Sequence, residues 1–145
     1  MSLENEEPMK NLATTDFVVI DDEAMSNRIC EIVITRIFPE CDLKTFTDPE
    51  TGLDHLASVY AKPGANNVIL FLDLKMPIMD GWQVLNQIEV LGDEVKKRMN
   101  IYILSSSPDL SDIQRANDNA LVKKFIRKPL LINKLREQIS NADFL

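Results

Sequence analysis

The sequence predicts an α/β fold in which helices cover both faces of a mostly parallel, five-stranded sheet, a doubly wound arrangement. Short apolar runs alternate with segments of helical spacing through the middle of the chain. Parallel neighbours need crossover connections, which are right-handed, so this alternation builds such a sheet. The chain has 145 residues, and we expect one compact domain over residues 15–145 after a loose N-terminal tail over residues 1–14.

Strand one and helix one open the domain. Residues 17–20 form a wholly apolar run, which indicates a strand buried on both faces. Apolar residues then recur three and four positions apart over residues 24–38, the period of a helix with one buried face, and Pro39 ends it. We expect the buried face of this helix to carry Met25, Ile29, Ile32, Val33, Ile37 and Phe38.

Strand two is predicted as an edge strand, because residues 43–46 alternate between apolar and polar. Asp48-Pro49 then supplies an N-cap and a first-turn proline for a second helix that runs to about Tyr60. A third, fully apolar strand over residues 68–72 ends at Asp73.

The second half of the domain continues the alternation. The remaining elements are a helix over 82–94, a strand over 101–104, a more polar helix opening at 107–109, a strand at 125–126, and a helix marked by Leu131, Leu135 and Ile139. The prediction is therefore five strands and five helices.

Composition and charge exclude several classes of function. The 23 Asp and Glu residues outnumber the 16 Lys and Arg residues, and the net charge of −7 argues against a general binder of nucleic acid or anionic membrane. Cys30 and Cys41 belong to no CxxC or Cys/His cluster, so neither a disulfide framework nor a zinc site is indicated. The polar, acidic N-terminus does not resemble a signal peptide. We expect a cytoplasmic protein.

Charged and polar side chains stand where the predicted strands end. Asp21 and Asp22 follow strand one, Asp73 ends strand three, Ser105 ends strand four and Lys128 follows strand five. In doubly wound sheets the ligand site lies beyond the carboxyl ends of the strands. We therefore expect these five residues to converge on one rim.

Three carboxylates in one place repel one another unless a cation neutralises them. Oxygen ligands without His or Cys select a hard ion, and so few carboxylates favour Mg²⁺ over Ca²⁺. A carboxylate beside Mg²⁺, a lysine ammonium and a hydroxyl is suited to attack a phosphoryl group, because the cations and donors stabilise charge on the transferring oxygens. The product is an aspartyl phosphate.

Four segments of the chain resemble, in order, the signature regions of the receiver domain of two-component response regulators. These segments are FVVIDD, FLDLKMPIMDG, YILSS and FIRKPL, and the resemblance covers about residues 16–143. It implies a flavodoxin-like (βα)5 fold with strand order 2-1-3-4-5.

The resemblance also implies a role for each residue of the rim. Asp73 corresponds to the phosphoacceptor, and Asp22 and the backbone carbonyl of Lys75 correspond to Mg²⁺ ligands. Asp21 corresponds to the residue that orients metal-bound water. The remaining two positions, Ser105 and Lys128, correspond to contacts of the phosphoryl oxygens.

Two further family features fall on this sequence. The switch aromatic of strand five corresponds to Phe125, which lacks the tyrosine hydroxyl often found there. A cis peptide bond is implied between Lys128 and Pro129.

These features predict a single-domain response regulator or phosphorelay intermediate. A histidine kinase or histidine phosphotransfer protein is the expected phosphoryl donor, and an unknown protein is the expected target. One alternative is a receiver-like interaction module that works without phosphorylation. The other is an enzyme with an aspartyl-phosphate intermediate, but such enzymes usually carry a second acid two residues after the nucleophile, where this chain has Lys75.

Some charged residues are assigned no catalytic role. His55 is interpreted as a surface or packing residue, and the run 96–98 as a solvated helix end. With Lys128, the residues Lys123, Lys124 and Arg127 form the one local basic cluster. Solvated protection of a sheet edge is the preferred interpretation of this cluster, and a partner surface is the alternative.

Overall fold

A computed structural model describes residues 15–106 and 108–140, and the predicted tail over residues 1–14 lies outside them. Five parallel strands form one sheet in the order β2-β1-β3-β4-β5. They are β1 (Thr15–Ile20), β2 (Leu43–Phe46), β3 (Asn67–Asp73), β4 (Met99–Ser105) and β5 (Val122–Arg127). The predicted fold class and strand order are confirmed.

Six helices lie in the described residues, one more than predicted. They are α1 (Ala24–Ile37), α2 (Pro49–Val59), α3 (Gly81–Glu89), α4 (Asp93–Lys96), α5 (Leu110–Asp118) and α6 (Ile132–Ser140). The helix predicted over 82–94 is in fact two helices, because the backbone becomes extended at Gly92, which precedes the first turn of α4. None of these helices combines the length and apolar composition that a membrane span requires.

The helices cover the sheet in two layers. Apolar residues of α2, α3 and α5 pack on one face, and those of α1 and α6 pack on the other. The central strand β3 is buried from Val68 to Asp73. A strand covered on both faces has no solvent-facing side, which explains its continuous apolar run.

The buried face of α1 differs from the predicted one. It carries Asn27, Cys30, Val33, Ile34 and Ile37. Three residues assigned to it are exposed instead, namely Met25 (70%), Ile32 (51%) and Ile29 (37%). This helix has more apolar residues than one face holds, so packing against β1 and α6 selects which of them are buried.

Arg98, assigned to a solvated helix end, is buried with 7% of its surface exposed. Its guanidinium donates hydrogen bonds to the backbone carbonyls of Tyr60 (2.8 Å), Glu94 (2.9 Å) and Ala65 (3.1 Å). It thereby joins α2, α4 and the segment before β3 at the amino-terminal end of the sheet.

Candidate functional site

Three carboxylates meet at the carboxyl-terminal edge of the sheet. Asp21 and Asp73 are buried and Asp22 is half-buried, and each offers an oxygen within 4.8 Å of the others. Their position follows from the strands, because β1 ends at Ile20 and β3 ends at Asp73 itself. The convergence expected from the sequence is therefore observed for these three residues.

The backbone around Asp21 is held in place by α1. Its carboxylate oxygen Oδ1 accepts a hydrogen bond from the Glu23 backbone N–H at 3.0 Å, close to the start of that helix. The Asn27 side-chain amide donates to the Asp21 carbonyl at 2.9 Å and contacts the Phe46 carbonyl at 3.4 Å. Sequence analysis missed Asn27, although helical spacing from Cys30 and Ile34 places it on the buried face.

Lys128 is the cation of this cluster. Its Nζ atom lies 2.6 Å from Asp21 Oδ2 and 3.4 Å from Asp73 Oδ1, and its side chain is 13% exposed. It also contacts the Ser26 hydroxyl at 3.4 Å, a neighbour that the sequence did not indicate. Burial acts to lower the pKa of Lys128, but the hydrogen bond and charge of Asp21, together with those of Asp73, outweigh it, so the pKa is raised. The ammonium therefore stays charged.

One lysine does not balance the cluster. Burial, followed by the charge of Asp21, raises the pKa of Asp73 to about 6, although Lys128 acts in the opposite direction. A raised carboxyl pKa means that a further positive charge is favoured at this position.

Ser105 completes the rim at the end of β4. It is 1% exposed, and its hydroxyl oxygen has no hydrogen-bond partner among the described residues. The neighbouring backbone is ordered, since Lys128 N–H donates to the Ser105 carbonyl at 2.9 Å. A buried hydroxyl without a partner is costly unless it serves a bound group.

The loop after Asp73 returns tightly beneath the carboxylates. Gly81 N–H donates to the Leu74 carbonyl at 2.9 Å, and a Cβ at Gly81 would stand 2.6 Å from the Asp73 carbonyl oxygen. Only glycine fits this close approach. Lys75 N–H lies 3.5 Å from Asp73 Oδ1, so the chain folds around the carboxylate.

Phe125 and Pro129 occupy the positions expected of them. The half-buried ring of Phe125 belongs to the core layer of α2, α3 and α5, and its strand position pairs with Ile103 of β4. The peptide bond between Lys128 and Pro129 is cis, as the resemblance implies.

A cavity of about 730 Å³ extends from Asp22 toward α5, and Trp82 lines it. The Trp82 indole N–H donates to Asp112 at 3.3 Å, and Arg115 stacks on the ring at 4.4 Å. The sequence does not indicate this bridge between α3 and α5, because no local pattern joins residues 30 positions apart.

The donor set fits a hard divalent cation. All three side chains of the cluster offer carboxylate oxygens, and the charge of Asp21 adds to the effect of burial in raising the pKa of Asp73. Such a set is typical of Mg²⁺. An ion held there would, with the Lys128 ammonium and the Ser105 hydroxyl, surround the Asp73 carboxylate with positive charge and a donor.

Comparisons with known proteins show which sequences and structures this chain is similar to. The family model described as the response regulator receiver domain matches residues 17–140. Protein PilG of Pseudomonas aeruginosa is 31% identical over 118 residues, covering 79% of this chain and 80% of PilG. A solved response regulator receiver protein from Dyadobacter fermentans is 27% identical, covers 87% of this chain and 95% of its own, and superimposes with a TM-score of 0.78.

A further relative is far longer than this chain. The hybrid signal transduction histidine kinase A of Dictyostelium discoideum is 26% identical over 124 residues, which are 85% of this chain but 5% of the kinase. The chain thus corresponds to one small part of that protein.

Proposed function

Since this chain belongs to the response regulator receiver domain family, we propose that it accepts a phosphoryl group from a phosphohistidine onto Asp73 and signals through a changed protein-binding surface. The observation that carries the proposal is the buried Asp73 carboxylate beside Asp21, Asp22 and the Lys128 ammonium. The family consists of signalling phosphoacceptors rather than enzymes of substrate turnover.

In the proposed state, Mg²⁺ is held by Asp21, Asp22, Asp73 and the backbone carbonyl of Lys75. When bound, the ion neutralises the carboxylates and stabilises negative charge on the phosphoryl oxygens. Asp21 keeps its ion pair with Lys128 and so positions the ammonium. The three clustered side chains offer only carboxylate oxygens as ligands, which supports this assignment.

Phosphoryl transfer then needs little covalent chemistry from the protein. A carboxylate oxygen of Asp73 attacks the phosphorus, the P–O bond forms, and the P–N bond to the donor histidine breaks. The Lys128 ammonium and the Ser105 hydroxyl donate hydrogen bonds to the transferring oxygens. Water later hydrolyses the acyl phosphate, which releases inorganic phosphate and restores the carboxylate.

The same contacts connect the phosphoryl group to the surface. The Ser105 hydroxyl has no hydrogen-bond partner among the described residues, so in this proposal the phosphoryl oxygen draws it inward. Phe125, half-buried on the neighbouring strand, turns into the vacated space. The surface formed by α5, β5 and α6 changes as a result, and this converts a local charge event into a new binding face.

An exposed apolar stripe on α1 supports a helical donor. Met25, Ile29 and Ile32 lie three and four residues apart and face solvent. Beside Ile29 is a cavity of about 60 Å³ whose lining includes Lys128 and Pro129. We propose that a helix of the histidine kinase or phosphotransfer protein packs on this stripe and presents its phosphohistidine to Asp73.

Intact-mass measurement tests the acceptor. After incubation with Mg²⁺ and acetyl phosphate, the wild type is expected to gain the mass of one phosphoryl group. Asp73→Asn should gain none, and Asp54→Asn, an exposed aspartate of α2, should gain it as the wild type does. No gain in the wild type favours the interaction module that works without phosphorylation, and an equal gain in Asp73→Asn removes the acceptor assignment.

The metal is tested separately with the fluorescence of Trp82, which lines the same cavity as Asp22. Mg²⁺ titration is expected to change the emission of the wild type, with an affinity at least about tenfold lower in Asp22→Ala because a ligand is lost. Asp54→Asn again serves as the control. Unchanged Mg²⁺ affinity in Asp22→Ala contradicts the proposed ligand set.

A further inference from the structure

Positive charge is concentrated in one segment of an acidic chain. Residues 119–136 contain six Lys and Arg residues and no Asp or Glu, although the net charge of the chain is −7. Lys128 is used in the carboxylate cluster and Arg136 has another interaction. The four others, which we call the basic face, are Lys123, Lys124, Arg127 and Lys134.

The side chains of the basic face have no carboxylate partners. All four are exposed, and none lies within 4.0 Å of a carboxylate in the part of the chain that the structure describes. Some other exposed cations are paired, since Arg28 pairs with Glu31 and Lys97 pairs with Glu94. Charges of both signs are normally interspersed on a protein surface, so the basic face needs a specific explanation.

Protection of the sheet edge explains only part of this face. The strand β5 is the last in the sheet, and lysines on an edge strand discourage pairing with other chains. Lys134, however, belongs to α6 and not to the edge strand. Edge protection also does not require the exclusion of every carboxylate from 18 consecutive residues.

The basic face is adjacent to the proposed phosphorylation site. Arg127 pairs in register with Ser105, and the next residue, Lys128, contacts Asp73 at 3.4 Å. Phe125 lies between the exposed lysines of β5 and Arg127 in the same strand. A displacement of Ser105 or Phe125 would therefore act directly on the strand that carries three of these charges.

We propose that the basic face binds an acidic segment of a partner protein, and that phosphorylation of Asp73 adjusts its affinity. The effect of phosphorylation on affinity rests on the proposed function, whereas binding of the acidic segment rests on charge complementarity alone. A protein segment is favoured over nucleic acid because the face is short and the net charge of −7 repels an extended polyanion.

The test measures binding of a fluorescent 12-residue peptide of Glu and Leu at several salt concentrations. The wild type is expected to bind it, more weakly as salt rises, and to prefer it over the same peptide with Gln in place of Glu. Lys123→Glu/Lys124→Glu should weaken binding by about tenfold or more. Lys44→Glu/Lys62→Glu changes the net charge equally at other exposed lysines and should change affinity by less than about twofold.

Three outcomes overturn the proposal. They are equal binding of the Glu and Gln peptides, equal losses in the two double variants, and tighter binding of a single-stranded 12-nucleotide DNA than of the Glu peptide. Asp73→Asn separates the two proposals, because docking persists in it even if phosphorylation fails. Far-UV circular dichroism spectra equal to that of the wild type show that both lysine variants are folded.

Discussion

The two ends of the sheet bury charge in opposite ways. At the amino-terminal end, Arg98 donates to three backbone carbonyls, and Asp16 accepts hydrogen bonds from Tyr60 (2.8 Å) and Asn66 (3.0 Å). At the carboxyl-terminal end, Lys128 pairs with two of the three clustered carboxylates, those of Asp21 and Asp73, and the Ser105 hydroxyl has no hydrogen-bond partner among the described residues.

This difference indicates that the charges at the amino-terminal end stabilise the fold, whereas those at the carboxyl-terminal end serve function. At the amino-terminal end, backbone carbonyls, the Glu94 carboxylate and neutral side chains satisfy the charges of Arg98 and Asp16, so those charges hold elements together. The carboxyl-terminal end is left with excess negative charge and an unused donor, which is the arrangement that a cation and a phosphoryl group complete. A change at one end should therefore affect folding, whereas a change at the other should affect chemistry.

The largest expected loss of stability comes from a substitution at the amino-terminal end of the sheet. Arg98→Met removes hydrogen bonds to three carbonyls and should lower the free energy of unfolding by about 3 kcal/mol. Lys97→Met, the exposed neighbour paired with Glu94, should change it by less than about 1 kcal/mol. Urea denaturation measures both, and a loss in Arg98→Met no greater than in Lys97→Met contradicts the stabilising role.

Neutralising one aspartate at each end of the sheet should change the free energy of unfolding in opposite directions. Asp16→Asn disrupts two satisfied hydrogen bonds and should destabilise by about 1–3 kcal/mol. Asp73→Asn relieves repulsion with Asp21 and should stabilise the metal-free protein by about 1 kcal/mol.

Thermal unfolding with EDTA and then with Mg²⁺ measures both changes. Because Mg²⁺ should stabilise the wild type more than Asp73→Asn, the ion is expected to reduce or reverse the advantage of that variant. If Asp16→Asn is more stable than the wild type, or metal-free Asp73→Asn is less stable, the charges at the two ends of the sheet do not have the opposite effects on stability that we expect.

A smaller effect depends on pH. His55 packs between Phe46 and Tyr60, and burial, followed by the charge of Lys44, lowers its pKa, although Asp42 and Asp16 act in the opposite direction. The unfolded chain then binds a proton more tightly, so stability is fully present above the unfolded pKa of about 6.5 and decreases as pH falls through it.

The measurement compares Asp73→Asn with Asp73→Asn/His55→Gln from pH 7.5 to 5, because the first substitution removes the opposing effect of Asp73. The single variant should lose more stability than the double variant over this range. If the free energies of unfolding of the two variants change equally with pH, the result contradicts a lowered pKa for His55.

The smallest expected change in stability is at Ser105. Ser105→Ala removes a hydroxyl that has no partner among the described residues, so the free energy of unfolding should change by less than about 1 kcal/mol. Phosphorylation by acetyl phosphate should nevertheless slow by about tenfold or more, because a donor to the phosphoryl oxygens is lost. A large loss of stability with unchanged phosphorylation assigns Ser105 to the fold alone.

Much of the fold and the position of the site follow from local patterns. Apolar runs predict the inner strands β1, β3 and β4 because a strand covered on both faces excludes polar side chains, whereas alternation of apolar and polar residues predicts the edge strand β2. The residues that end those strands, among them Asp21 and Asp73, converge because parallel strands place their carboxyl ends at one edge. Both predictions can be made from the order of residues along the chain alone.

Tertiary packing decided which of several compatible side chains were used. The sequence of α1 carries more apolar residues than one face holds, and contact with β1 and α6 buries Asn27 and Cys30 while leaving Met25 exposed. The sequence suggests that Arg98 is a solvated charge, but the fold brings it to the carbonyls of Tyr60 and Ala65, which are distant in sequence. Burial and pairing depend on neighbours brought together by the fold, so a local period shows that a helix has a buried face without showing which residues lie on it.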